Sequence, residues 1–114
     1  MDRDQRDLLL CLAYLYLTAG REHRALALLD VVEQAAPADP TLLRMLAHTL
    51  IETDDPGRAV DLLDRLERIE GDSPGLLLLR SRALHRLGRR AEAQAIFQVF
   101  VEHRAGTAPL ELLA

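Results

Sequence analysis

Gly20-Arg-Glu-His-Arg-Ala25 is the stretch of the sequence that decides the fold, because it places a small residue five positions after a helix-breaking glycine. The pattern returns as Asp54-Asp-Pro-Gly-Arg-Ala59 and as Gly88-Arg-Arg-Ala-Glu-Ala93. Each return comes 34 residues after the previous one, so the three alanines are in strict register. A fixed period of this length is typical of stacked helical hairpins.

The register extends to both sides of this stretch. A small residue at a helix crossing lets two backbones approach, and large apolar residues around it fill the space. One position departs, since Arg80 stands where Leu12 and Leu46 occupy the other two units. The matching sets are Leu9, Leu43 and Leu77; Ala13, Ala47 and Ser81; Tyr16, Leu50 and Leu84; Leu29, Leu63 and Phe97; and Val32, Leu66 and Phe100.

These sets predict an all-α fold, with three tetratricopeptide helical hairpins stacked as a right-handed superhelix and a short C-terminal segment. We expect one domain over residues 1–114, with repeats at about 6–39, 40–73 and 74–107 and a tail at 108–114. Helices are expected over residues 4–18, 22–35, 76–87 and 91–103. A third helix should start at Thr41, and a fourth should be capped by Asp55 with Pro56 in its first position. Residues 109–113 either fold back over Phe97 and Phe100 or fray.

The composition of the chain indicates which kinds of partner and which cellular compartment are expected. The net charge is −4, and all 14 basic residues are arginines interleaved with acids, so nucleic acid is not an expected partner. Cys11 is the single cysteine, which excludes an internal disulfide and favours a reducing compartment. The apolar run at residues 8–19 follows a stretch that is not net positive and is too short to span a bilayer. We therefore expect a cytoplasmic protein without membrane insertion.

The sequence holds no recognisable set of catalytic or metal-binding residues. His23, His48, His85 and His103 share no spacing of three or four residues, so they do not predict a metal site. Cys11 and His48 could share the inner surface, but nothing supplies the donors that a thiolate–imidazole enzyme needs for its oxyanion. We expect no enzyme, no cofactor and no metal.

The first helix carries more apolar residues than one face can hold, because no polar residue interrupts the run from Leu8 to Leu17. A helix that is apolar all round has to be covered all round, yet the first helix of a stack has no preceding hairpin. A partner chain, a homodimer or a few tolerated exposed residues could each account for this run.

The inner surface of such a stack is lined by the first helix of each hairpin and is where these folds bind polypeptide segments. This surface should be apolar at one end and basic at the other, which suits a hydrophobic or amphipathic segment with acidic character. Alternatively, the same residues form the core of a closed superhelix. The candidate partner-binding residues are Leu10, Cys11, Tyr14, Leu17, Arg44, Met45, His48, Ile51, Leu78, Leu79, Arg82 and His85.

The sequence resembles the YscY family of type III secretion chaperones. The resemblance rests on the apolar run from Leu8 to Leu17, the stretch from Gly20 to Ala25 and the following Leu28-Leu29-Asp30, within three units that cover residues 7–103. Arg80 and the uncertain closing helix depart from the pattern. The resemblance implies a small cytoplasmic chaperone without catalytic residues.

The same resemblance implies two partners, a small secreted protein of the YscX type and the export-gate protein of the secretion apparatus. A heterodimer is then expected rather than a homodimer. The alternatives are a self-associating repeat scaffold, with the first helix buried in a symmetric dimer, and a chaperone for translocator proteins of the same secretion system.

Overall fold

The structure, a computed structural model, describes residues 1–53 and 55–105, with only the backbone of Ala105. Within these ranges every regular element is an α-helix, and no helix is long and apolar enough to cross a membrane. The predicted all-α stack of helical hairpins is confirmed. The expectation for residues 109–113 lies outside the described residues. The helices are α1 (Arg3–Thr18), α2 (Glu22–Ala35), α3 (Pro40–Glu52), α4 (Pro56–Glu70), α5 (Pro74–Arg86) and α6 (Arg90–Ala105).

The turn inside each hairpin is closed by the same backbone hydrogen bond, in which an amide reaches back five residues to a carbonyl of the first helix. Bonds of this kind satisfy carbonyls that the end of a helix leaves without a partner. Gly20 and Gly88 follow their helices with φ of +74° and +78°, a conformation that costs glycine little. The three bonds run from Arg21 to Tyr16, from Asp55 to Leu50 and from Arg89 to Leu84, at 2.8, 2.8 and 3.0 Å.

Capping side chains set the starts of α3, α4 and α5, and two of these three predicted starts were wrong. Helix α3 begins at Pro40 rather than Thr41 because the Asp39 carboxylate accepts the amide of the third helical residue at 3.1 Å. Helix α5 begins at Pro74, two residues before the predicted start, because the Ser73 hydroxyl caps it in the same way. The predicted cap at Asp55 is confirmed.

The central hairpin, α3 and α4, holds most of the core because it has a hairpin on each side. Ala47 and Ala59 are fully buried where the two helices cross, as the register predicts. The terminal helices bury much less, with Leu10 and Ala13 in α1 and Ala93 in α6. Around the central crossing, the buried large side chains are Leu42, Leu43, Leu46, Leu50, Ile51, Leu62, Leu63 and Leu66.

The stack curves with its first helices on the inside. Helix α3 packs against both α1 and α5, whereas no Cα atom of α2 comes within 8 Å of α4. Long side chains bridge that wider gap: Arg58 donates to Asp30 and Glu33 at 2.8 and 2.9 Å, and Arg65 donates to Glu33 at 3.2 Å. The hydrogen bond to Asp30 raises the pKa of Arg58 above its ordinary value, and Glu33 adds to this effect.

Arg80, the departure from the apolar column, is explained by its neighbours on α4. Its guanidinium contacts the carboxylates of Asp64 at 2.5 Å and Glu67 at 2.8 Å, while the side chain is only 13 % exposed. A nearly buried arginine is tolerated where acids compensate its charge. The column that holds Arg80 therefore faces the second helix of the preceding hairpin.

We expect the Arg58→Ala substitution to lower the free energy of unfolding by about 1 kcal/mol at low ionic strength, because partly exposed ion pairs contribute no more than that. Urea denaturation at low and high salt measures the effect, which should shrink as salt screens the lost pairs. Arg68→Ala, on the exposed side of α4, is the matched control. Equal losses for both variants would contradict the assigned role of Arg58.

Candidate functional site

Helix α1 leaves much of its apolar surface uncovered. Leu8, Leu12, Tyr14 and Leu15 are all exposed, and so is Cys11. Exposed apolar residues grouped on one helix are a common feature of interaction sites. The expectation that this helix cannot bury its side chains within its own hairpin is therefore confirmed.

An open cleft lies at the other end of the stack, between α5 and α6 and next to the end of α3. We call it the terminal cleft. It encloses about 780 Å³. Apolar side chains from all three helices contribute to it, which is the usual character of a binding site. It is lined by Ile51, Glu52, Leu78, Ser81, Arg82, His85, Arg86, Arg90, Ala93, Gln94 and Phe97.

Arginines outnumber acids among the described residues that line the terminal cleft, although the whole chain is net negative. Arg82 forms an ion pair with Glu52, the one acid among these described lining residues. Arg90 stands in the first position of α6, where the amides of the helix terminus add further positive potential. This arrangement favours a ligand that carries negative charge beside apolar groups.

The candidate residues inferred from the sequence fall into three groups in the structure. Leu10 and Ile51 are buried and both belong to the core, which leaves little of either side chain for a partner. Four of the candidates, Ile51, Leu78, Arg82 and His85, meet in the terminal cleft. The others lie along the first helices outside it: Leu17, Met45, His48 and Leu79 are half-buried, and Cys11, Tyr14 and Arg44 are exposed.

Sequence reasoning missed the side of the terminal cleft that α6 forms. Arg90, Ala93, Gln94 and Phe97 all come from this second helix, whereas only first helices were considered for the inner surface. The signal was available, because Phe97 aligns with Leu29 and Leu63, which a following hairpin covers. No following hairpin packs on α6 among the described residues.

Neither the histidines nor Cys11 join a larger reactive cluster. In the described part of the chain, no three His, Cys, Asp or Glu side chains are grouped so that they could hold a metal ion. Binding of another polypeptide is the chemistry that this arrangement of apolar and charged side chains suits best.

Comparisons with known proteins agree with the architecture. A family model described as "Tetratricopeptide repeat" matches residues 16–74, and a second one with that description matches residues 74–98. No curated protein matches the sequence. Among solved structures, MamA AMB-1 superposes with a TM-score of 0.80 at 19 % identity, covering 91 % of this chain and 62 % of its own.

A MamA mutant superposes with a TM-score of 0.77 at 25 % identity, covering 94 % of this chain and 63 % of its own. The present chain thus spans about three fifths of the length of these MamA chains. The first repeat model alone matches more than half of the chain, and it ends where the third hairpin begins. The chain therefore belongs to the tetratricopeptide repeat family.

Proposed function

We propose that this chain is a protein-binding module that receives an amphipathic, acidic segment of another protein in the terminal cleft. The repeat fold suits protein–protein interaction, and the cleft is the observation that carries the proposal. Its exposed apolar part, with Leu78 and Phe97, would take the hydrophobic face of the segment. Arg82 and Arg90 would pair with its acids.

The charge of the cleft supports an acidic segment rather than a basic one. Arg90 adds its charge to the positive end of α6 at the edge of the cleft, in a chain whose net charge is −4. Complementary charge steers association and excludes wrongly charged competitors. A segment with Lys in place of its acids should therefore be rejected even if its apolar face is unchanged.

The Arg90→Glu substitution should weaken binding of an acidic amphipathic helical peptide by about tenfold or more, since it places like charges face to face. The fold should not suffer, because an acid in the first turn of a helix is favourable. Fluorescence anisotropy measures the affinity for this peptide and for its Lys-substituted counterpart. Arg68→Glu, which reverses one charge on the exposed side of α4, is the control.

Equal affinities of wild-type protein for the acidic and the Lys-substituted peptide would contradict the proposal. So would an Arg90→Glu variant that binds the acidic peptide as tightly as Arg68→Glu does. The titrations are made at low protein concentration, where only the peptide competes for the cleft.

The resemblance to the YscY family leads to a more specific form of this proposal. In that form the chain is a cytoplasmic chaperone for a small secreted partner of the YscX type, which it presents to the export-gate protein of a type III secretion system. The apolar run in α1 and the three-hairpin architecture support it.

Co-expression with each of the proteins encoded beside it tests the specific form. A chaperone should form a 1:1 complex whose Tm exceeds that of the isolated chain, because a ligand bound only to the folded state stabilises that state. Tyr14→Ala should weaken this complex more than it destabilises the isolated fold, since Tyr14 is exposed. A Tm that the partner leaves unchanged would exclude the chaperone role while leaving peptide binding in the cleft intact.

A further inference from the structure

Helix α1 carries on its outside a surface that is buried in the other two hairpins. We call Leu8, Leu12 and Leu15, all exposed, the front face of α1. In α5 the column of Leu12 lies against the preceding hairpin, because Arg80 contacts Asp64 of α4. The register implies the same placement for Leu46 in α3. The aligned residues Leu42, Leu46, Thr49, Leu76 and Ala83 are all buried.

Helix α6 carries the other side of this contact, the surface on which a following hairpin would pack. We call Phe97, Phe100 and Val101 its end face, and the two phenylalanine rings lie 5.7 Å apart. Phe97 is 45 % exposed, whereas Leu63 in the same column is fully buried, and its hairpin is followed by another one. The two ends of the stack thus expose the two halves of one recurring interface.

The chemistry of the two exposed halves also matches. Inside the molecule, Arg80 of α5 pairs with Glu67 of α4 across this interface. At the same columns, the front face has Leu12 in place of the arginine, and the end face has Val101 in place of the glutamate. Both members of an ion pair are replaced by apolar residues, so neither charge would be left unpaired if the faces met.

We propose that copies of this chain associate head to tail, with the front face of one copy packed on the end face of the next. This contact continues the α2–α3 and α4–α5 packing already present in the chain. It is heterologous, so each added copy leaves one front face and one end face open, and the assembly grows beyond a dimer. The terminal cleft shares Phe97 with this contact and is accessible in the monomer.

Sedimentation velocity over a range of protein concentrations tests the proposal. The average mass of the wild-type chain should rise past that of a dimer. Leu12→Arg and Val101→Glu should each weaken association by about tenfold or more, because each buries one charge without a partner. Val31→Glu, at an exposed apolar position on α2 outside both faces, is the control and should not change it.

The double variant Leu12→Arg/Val101→Glu is the decisive measurement. It recreates between copies the Arg80–Glu67 pair that exists within the chain, so association should recover towards the wild-type constant. A wild-type monomer at every concentration would overturn the proposal, and so would a double variant no better than the single ones. A closed dimer whose association constant is unchanged by Val101→Glu would instead indicate a symmetric contact between two α1 helices and would overturn the proposal. A monomer that associates only after deletion of residues 106–114 would assign the end face to that segment.

Discussion

Replacing Leu46 by alanine should lower the free energy of unfolding by about 2–5 kcal/mol, the range for truncating a buried leucine. Leu46 is fully buried in α3, between the hairpins on either side. The same substitution at Leu12, which occupies the same column in α1 but is 39 % exposed, should cost less than about 1 kcal/mol. Both positions are leucines in the same column of the first helix of a hairpin. The difference between the two losses of stability therefore reports burial by the preceding hairpin.

Urea denaturation followed by far-UV circular dichroism measures both variants, at a protein concentration low enough to keep the chain monomeric. The slope of the free energy against urea should stay constant, since a change in slope would signal loss of two-state unfolding. Similar losses at the two positions would mean that α1 is covered in solution. The conclusion that the front face of α1 is exposed in the monomer would then be wrong.

Much of the fold could be predicted from the sequence because the same pattern of small, apolar and turn residues occurs three times. Ala25 and Ala59 are fully buried in the structure, as the alignment of small residues at the helix crossings requires. The bounds of α2 agree with the expected residues 22–35. Gly20 follows α1 with positive φ, as expected of a residue just past a helix end.

Helix starts could be predicted only where the capping pattern was read completely. Asp55-Pro56 was interpreted as a cap followed by the first helical residue, which is correct. Asp39-Pro40 and Ser73-Pro74 have the same chemistry, but the expected starts at residues 41 and 76 place both prolines outside their helices, since proline ends a helix as readily as it begins one. The polar residue before each proline decides between the two.

The candidate site was harder to predict because aligned residues do not share an environment. Register places Leu10 and Leu78 in one column, yet Leu10 is buried in the core and Leu78 lines the terminal cleft. Alignment also treats Phe97 as core, like Leu63. The neighbours of a helix depend on its place in the stack. Columns that are buried in the middle of a stack are therefore exposed at its end.

Enlarging Ala59 to leucine should lower the free energy of unfolding by about 1–3 kcal/mol, because a well-packed helix crossing has no room for three more carbon atoms. Ala59 is fully buried in the central hairpin. Ala93 is the matched position in the last hairpin, where it is 5 % exposed and borders the terminal cleft. A leucine there can turn into the cleft, so Ala93→Leu should cost clearly less.

The two alanine variants also separate packing from binding. Ala59→Leu should reduce stability and leave the intrinsic affinity for an acidic amphipathic peptide nearly unchanged, whereas Ala93→Leu should fill part of the cleft and reduce that affinity. Urea denaturation and peptide anisotropy on the same preparations give both quantities. Equal destabilisation by the two substitutions would mean that α6 is packed as tightly as α4. In that case the terminal cleft would be closed in solution, and the peptide would have to bind elsewhere on the inner surface.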